Sequence, residues 1–137
     1  MVVSISDVVA AARQRIRELS PSEVQAVTKA GQVLVDVREP AEYASGHLPG
    51  AINLPRGVLE FQIHAHPAMG CTTSDALAAV DRPLVLYCLS GGRAALAVDS
   101  LQQLGFSQVS SLAGGITAWR EAGLPVTPGS TDLGKPR

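Results

Sequence analysis

The sequence predicts an α/β domain with a parallel central sheet flanked by helices on both faces. Three observations point there. Short apolar, β-branched runs at 33–37 and 84–88, with briefer ones at 51–54 and 109–112, alternate with segments of helical period. Strands interleaved with helices in this way imply parallel β-α units. The run Leu84, Val85, Leu86, Tyr87 and Cys88 is apolar throughout, as a fully buried strand is. It leads into Ser90-Gly91-Gly92, a small-residue turn that feeds a helical pattern. In such sheets ligands bind beyond the carboxyl ends of the strands, which is where this turn falls.

The 137 residues, 46% hydrophobic and 17% charged, suit one globular domain with a genuine core. A net charge of −1 gives no electrostatic case for nucleic acid or an anionic membrane surface. Two cysteines, Cys71 and Cys88, do not make a disulfide framework. The first residues lack a basic flank and a cleavable apolar core, so no signal peptide is expected. No apolar run approaches the length of a membrane span. The expected setting is a reducing cytoplasm, where a reactive thiol stays available. The expected division is a leading helical extension over 1–17, the domain proper over 18–127 and a flexible tail over 128–137.

Taken in order, Ser6 caps a first helix whose apolar face is Val9, Ala12, Ile16 and Leu19, and the helix is expected to pack on the body. Ser20-Pro21-Ser22-Glu23 reads as a capping box with proline at the first helical position. Val24 and Val27 of that helix face inward, and Gly31 ends it. Residues 33–37 form a strand whose period of two puts Asp36 and Arg38 on one side and Val37 on the other. The pair either braces the strand's carboxyl end or, through Arg38, attracts an anion. Glu39-Pro40-Ala41-Glu42-Tyr43 predicts one helical turn, and residues 46–50 a loop containing His47. Ala51-Ile52-Asn53-Leu54 is a short strand stopped by Pro55. Arg56 follows, either at the mouth of a site or as a solvated loop arginine. Residues 57–75 show little periodicity. His64, His66 and Cys71 fall there, in a spacing that matches no standard ligand pattern, so no metal is expected. A short helix over 72–80 leads back to the strand at 84–88. Near the end, Gly114-Gly115 permits a tight turn into a helix carrying Ile116 and Trp119, the tryptophan as a core anchor.

The chemistry gathers at Cys88. From Ala94 the apolar residues recur as Ala94, Val98, Leu101 and Leu104, one face of a helix that Gly105 closes. Cys88 therefore sits where a buried strand ends and a turn feeds a helix N-terminus. The unpaired N–H groups of a first helical turn, with the helix dipole, favour an anion. Successive N–H groups of a glycine turn also converge into anion-binding nests. Both effects favour a thiolate nucleophile, and Arg93 adds a fixed charge and a planar donor fork. The competing reading is an inert buried cysteine. The Ser-Gly-Gly-Arg run behind Cys88 speaks against it.

Cys88-Leu89-Ser90-Gly91-Gly92-Arg93 resembles the Cys-x-x-Gly-x-Arg active-site loop of single-domain rhodaneses, the thiosulfate:cyanide sulfurtransferase family. Four further stretches match in order: Asp36-Val37-Arg38, the run from Gly46 to Asn53, Leu112-Ala113-Gly114-Gly115 with Trp119, and Gly123-Leu124-Pro125-Val126. The resemblance implies a rhodanese-like fold and a sulfur-transfer reaction. Cys88 would take the sulfane sulfur of thiosulfate or a persulfide donor and deliver it to cyanide, a small thiol or a sulfur-accepting protein. The N–H groups of Leu89, Ser90, Gly91, Gly92 and Arg93 would hold the anionic sulfur. Arg93 would either clamp the donor or brace the loop through a carboxylate such as Asp36, the clamp being preferred. Asp36 and Arg38 would be mainly structural, with Arg56 a further supporting candidate. A thiolate needs no base, so His47 is expected to brace its loop. No metal or organic cofactor is required. Two other classes compete: a non-turnover sulfur-relay or binding module, and a cysteine phosphatase or arsenate reductase. The phosphatase signature has five residues between Cys and Arg, whereas four stand between Cys88 and Arg93.

Overall fold

The computed structural model describes residues 2–63 and 83–128. The apolar runs form its inner strands, β2 (Val33–Asp36), β4 (Leu84–Tyr87) and β5 (Val109–Leu112). Two short strands, β1 (Arg17–Leu19) and β3 (Ile52–Asn53), form the edges. All pair in parallel, in the order β1-β5-β4-β2-β3. The pleat divides the core in two. Val35, Leu84, Leu86 and Cys88 face one layer, where α4 (Leu59–Gln62) and α5 (Gly92–Gln103) pack. Leu34, Val85 and Tyr87 face the other, with α2 (Pro21–Lys29) and α6 (Gly115–Glu121). Every side chain of β4 is fully buried. At about 1.5–3 kcal/mol for each large apolar side chain, that burial holds the strand that leads into Cys88.

α2 begins as its sequence predicts. Ser20 Oγ accepts from the Glu23 N–H at 3.2 Å, and the Glu23 carboxylate accepts from the Ser20 N–H at 2.9 Å. Pro40 likewise opens the one-turn helix α3 (Pro40–Ala44).

Three expectations need correction. The leading helix α1 (Ile5–Arg13) is capped by Ser4, not Ser6, and stops well short of Leu19. Residues 17–19 are instead β1, with Arg17 opposite Ser110 and Leu19 opposite Leu112. The spacing of Ile16 and Leu19 continues a helical period by coincidence. The free edge of β5 supplies backbone partners that a lone helix end lacks, including the Ala113 N–H donated to Leu19 O at 2.8 Å. Leu104 does not share the buried face of Ala94, Val98 and Leu101. It is the C-cap of α5 and stands 53% exposed, and Gly105 turns the chain with φ +101°. Finally, α4 forms inside the stretch whose sequence shows little periodicity, with Leu59 buried. The helix expected over 72–80, together with His64, His66, Cys71 and residues 129–137, lies outside the described residues.

α1 lies against α5 and is pinned there. Arg15 donates to both carboxylate oxygens of Asp99, at 2.9 and 2.7 Å, and Gln102 Nε2 donates to Arg15 O at 3.0 Å. Ala12 is fully buried at this contact. Among the described residues no helix is long and apolar enough to cross a membrane.

Candidate active site

Cys88 is the first residue past β4 and is 1% exposed. The chain then turns through Gly91, whose φ of +119° a residue with a side chain rarely adopts. This turn aims the Gly91 N–H back at Cys88 Sγ, 3.1 Å away, and the Ala94 N–H reaches the same sulfur at 3.4 Å. The sulfur thus rests on the N-terminal end of a 12-residue helix, where donors and dipole both favour negative charge. Among the described residues these two N–H groups are its hydrogen-bond donors. Leu89, Ser90, Gly92 and Arg93 shape the loop without donating to the sulfur. Ala94 was absent from the residues expected to cradle it, although any helix N-terminus offers that N–H.

The loop is held from behind by α6. Ile116 donates its N–H to Cys88 O at 2.9 Å, and Thr117 donates to Leu89 O at 3.1 Å. Gly115 lets the two segments meet: a Cβ there would stand 2.6 Å from Cys88 O and overlap Leu89 O. The Gly114-Gly115 pair is therefore more than a turn into a helix. It is the surface on which the cysteine loop sits.

Arg93 is forked onto Glu42, with Nη1 to Oε1 at 2.9 Å and Nη2 to Oε2 at 3.1 Å. Glu42 also accepts from the Glu39 N–H at 3.1 Å. The Arg93 hydrogen bonds hold the Glu42 carboxyl down at about 2. The same bonds raise the pKa of Arg93, and the nearby charges of Glu42, Cys88 and Asp36 add to the effect. Asp36, named from sequence as a brace for Arg93, is engaged elsewhere. Its carboxylate accepts from Arg38 Nε at 3.0 Å, Arg38 Nη2 at 2.7 Å and the Arg38 N–H at 2.9 Å. No local sequence signal marks Glu42, because its partner lies 51 residues away.

Asp36 and Arg38 are 0% and 3% exposed. Arg38 also donates to Gly46 O at 2.7 Å and lies 5.8 Å from the centre of the Tyr87 ring. The Tyr87 hydroxyl accepts from the Leu48 N–H at 3.0 Å, and burial together with Asp36 pushes its ionisation upward. These groups brace the loop at 46–48 on the side of the sheet opposite the sulfur. His47 belongs to the same brace. Its backbone exchanges hydrogen bonds with Thr127 at 2.9 and 2.7 Å, and its ring stacks on Tyr43 at 3.8 Å. Its Nδ1 faces Tyr43 O at 3.1 Å. Arg56 pairs with Glu60 at 2.8 Å, and Glu60 accepts from Ser100 Oγ at 2.6 Å, a tie between the loop after β3, α4 and α5.

One contact was not foreseen. Arg13, on the last turn of α1, extends its guanidinium over Gly91, so that a Cβ on that glycine would meet Nη2 at 2.8 Å. Among the described residues no group of three His, Cys, Asp or Glu side chains is placed to hold a metal ion.

Residues 20–122 match the family described as rhodanese-like domain. A sulfurtransferase of Allochromatium vinosum is 38% identical over 94 residues, 69% of this chain and 77% of the relative. The thiosulfate sulfurtransferase GlpE of Pseudomonas fluorescens is 32% identical over 120 residues, 88% of this chain and 95% of the relative. Among solved structures, a Rhodopseudomonas palustris protein of unknown function, described as a possible tyrosine phosphatase, superposes with a TM-score of 0.76 at 32% identity. That superposition covers 93% of this chain and 96% of the other. A family match over most of the chain, with relatives covered over 77% and 95% of their length, places this protein in the rhodanese family.

Proposed function

We propose that the protein is a sulfurtransferase in which Cys88 carries the transferred sulfur. The observation that carries the reading is the convergence of the Gly91 and Ala94 N–H groups on Sγ at the start of α5. The thiolate attacks the outer sulfur of thiosulfate. A bond forms between Sγ and that sulfur, the sulfur–sulfur bond of thiosulfate breaks, and its electron pair leaves on sulfite. An acceptor such as cyanide or a thiol then attacks the outer sulfur of the persulfide and regenerates the thiolate. No external oxidant is consumed. Preorganised N–H donors act where charge resides throughout the cycle, and removing one such donor typically costs about 10²–10³ in rate. The names of the Allochromatium and Pseudomonas relatives support the same reaction class.

The phosphatase reading carried by the Rhodopseudomonas neighbour gains no support from the site. Four residues separate Cys88 from Arg93, and the Arg93 fork is turned onto Glu42 rather than into a cradle for a phosphoryl group. The deciding experiment is intact mass after incubation with thiosulfate. The reading expects a gain of one sulfur atom that reductant or cyanide removes, with thiocyanate as product in the second case. Absence of the adduct, together with hydrolysis of an aryl phosphate, would replace it with the phosphatase reading.

A further inference from the structure

We propose that Arg13, carried by α1, binds the anionic end of the sulfur donor above the Cys88 loop, so that the leading helix is part of the donor site. The proposal rests on the reading of Cys88 as the sulfur carrier. It concerns a residue outside the segment 20–122 that matches the family.

The first support is position. The double hydrogen bond from Arg15 to Asp99 and the buried Ala12 fix the end of α1 on α5. That anchoring sets Arg13 Nη2 2.8 Å from where a Cβ on Gly91 would stand. Gly91 is also the residue whose N–H donates to Cys88 Sγ at 3.1 Å. Standard backbone dimensions then place Nη2 within roughly 8.5 Å of the sulfur. When thiosulfate is attacked in line, its sulfonate begins two sulfur–sulfur bonds of about 2 Å beyond Sγ. A charge-assisted hydrogen bond of about 2.8 Å brings the reach to roughly 7 Å before the S–O bond is counted. That upper bound keeps the guanidinium within the reach the sulfonate requires.

The second support is availability. Arg93, the arginine of the loop itself, has its fork occupied by Glu42 at 2.9 and 3.1 Å. Among the described residues Arg13 makes one ion pair, through Nε to Glu18 at 3.6 Å, longer than a hydrogen bond. Its Nη2 faces the loop at Gly91 instead. The third support is shape. Ile5, Val9 and Arg13 of α1 and Ser90, Arg93 and Leu96 line a cleft of about 470 Å³ on the α1 flank of the Cys88 loop, next to the sulfur rather than lined by it. The mostly apolar walls screen a charge on the donor less than open solvent does.

The cycle transfers sulfur in two separate halves, so the donor step and the acceptor step have independent kcat/KM values, and this makes the test specific. Arg13→Ala, Arg13→Lys and the wild type are assayed with thiosulfate as donor and 2-mercaptoethanol as acceptor, which carries no charge apart from its reacting thiolate. The expected result for Arg13→Ala is a roughly ten- to a hundredfold loss in kcat/KM for thiosulfate, with kcat/KM for the thiol unchanged. Arg13→Lys should recover most of the loss, because it keeps the charge. A thiosulfate kcat/KM within twofold of wild type in Arg13→Ala would overturn the proposal. An equal loss in both constants would also overturn it, because it would make Arg13 a brace for the loop. If the wild type itself takes no sulfur from thiosulfate, the sulfurtransferase reading falls and this proposal with it. Uptake that is indifferent to Arg13 removes this proposal alone.

Discussion

Gly115→Ala tests whether the Cys88 loop depends on its support from α6. The added Cβ would stand 2.6 Å from Cys88 O and equally close to the Leu89 carbonyl carbon. These are backbone atoms, so no side-chain rotation relieves the overlap. Ordinary contact begins near 3.4 Å, so the loop must retreat by at least about 0.8 Å, the Leu89 O overlap being closer still. A misplacement of about 1 Å at reacting groups costs on the order of a hundredfold in rate. The left-handed backbone at Gly115, φ +62°, adds about 1–2 kcal/mol for any residue with a Cβ. The expected outcome is a kcat/KM about a hundredfold lower and a Tm lower by roughly 3–10 °C. Gly105→Ala is the control. Its φ of +101° imposes comparable strain, but nothing lies within 4 Å of the added Cβ. It should lose Tm and keep its activity. Thiocyanate formation and thermal unfolding by circular dichroism read both quantities. Retention of kcat/KM within threefold by Gly115→Ala, or an equal loss in Gly105→Ala, would refute the reasoning.

The other predictions follow from single contacts. Cys88→Ser keeps the shape of the loop but removes the nucleophile, so the sulfur adduct in the mass spectrum and all turnover should vanish while Tm stays close to wild type. Residual turnover would move the sulfur carrier elsewhere. Asp36→Asn leaves Arg38 buried without a charge partner, and denaturant unfolding should show a loss of about 3–5 kcal/mol. A loss below about 1 kcal/mol would mean that Gly46 O alone satisfies the guanidinium. Glu42 titrates at about 2 instead of its ordinary 4.5. Its contribution to stability is therefore complete above pH 4.5 and lost as pH falls through about 2. Glu42→Gln should flatten the fall of Tm across that interval, and superimposable profiles would count against the Arg93 pairing. Both partners are more than a third exposed or close to it, so the effect on stability stays below about 1 kcal/mol.

What was legible in the sequence was what local physics dictates. The run ending at Cys88 could be read as a buried strand because nothing polar interrupts it. Gly91 could be read as the turn because few other residues tolerate its backbone. A spacing of two on a strand put Asp36 and Arg38 on one side, and the family resemblance favoured the brace over an anion site. The parts that were hidden depend on contacts between distant segments. Residues 17–19 become a strand only because β5 offers an edge, and their spacing happens to extend a helical pattern. Glu42 meets Arg93 across 51 residues, and the pairing of Glu42 with its own helix start gave no hint of that second partner. Gly115 looks like any turn glycine until the loop it supports is in place. Arg13 looks like one more solvated arginine on a leading helix until Arg15 docks that helix on α5.

The place of β1 in the sheet also bears on the order of assembly. β2 finds β3 and β4 among segments made soon after it, whereas Arg17 waits for Ser110, about ninety residues downstream. Pairing over such a span is slow, because the chain must lose loop entropy before the contact repays it. The donors that lock the Cys88 and Leu89 carbonyls, Ile116 and Thr117, are later still in the chain. On a ribosome, the nucleophile therefore emerges after β1 but before β5, the partner of β1, and before α6. The pairing of β1 and the shelf under the loop are both completed in the same later stretch of synthesis. A nascent chain that stops before residue 109 carries Cys88 with its Gly91 and Ala94 donors, but has neither the edge that pairs with β1 nor the shelf that locks the loop from behind.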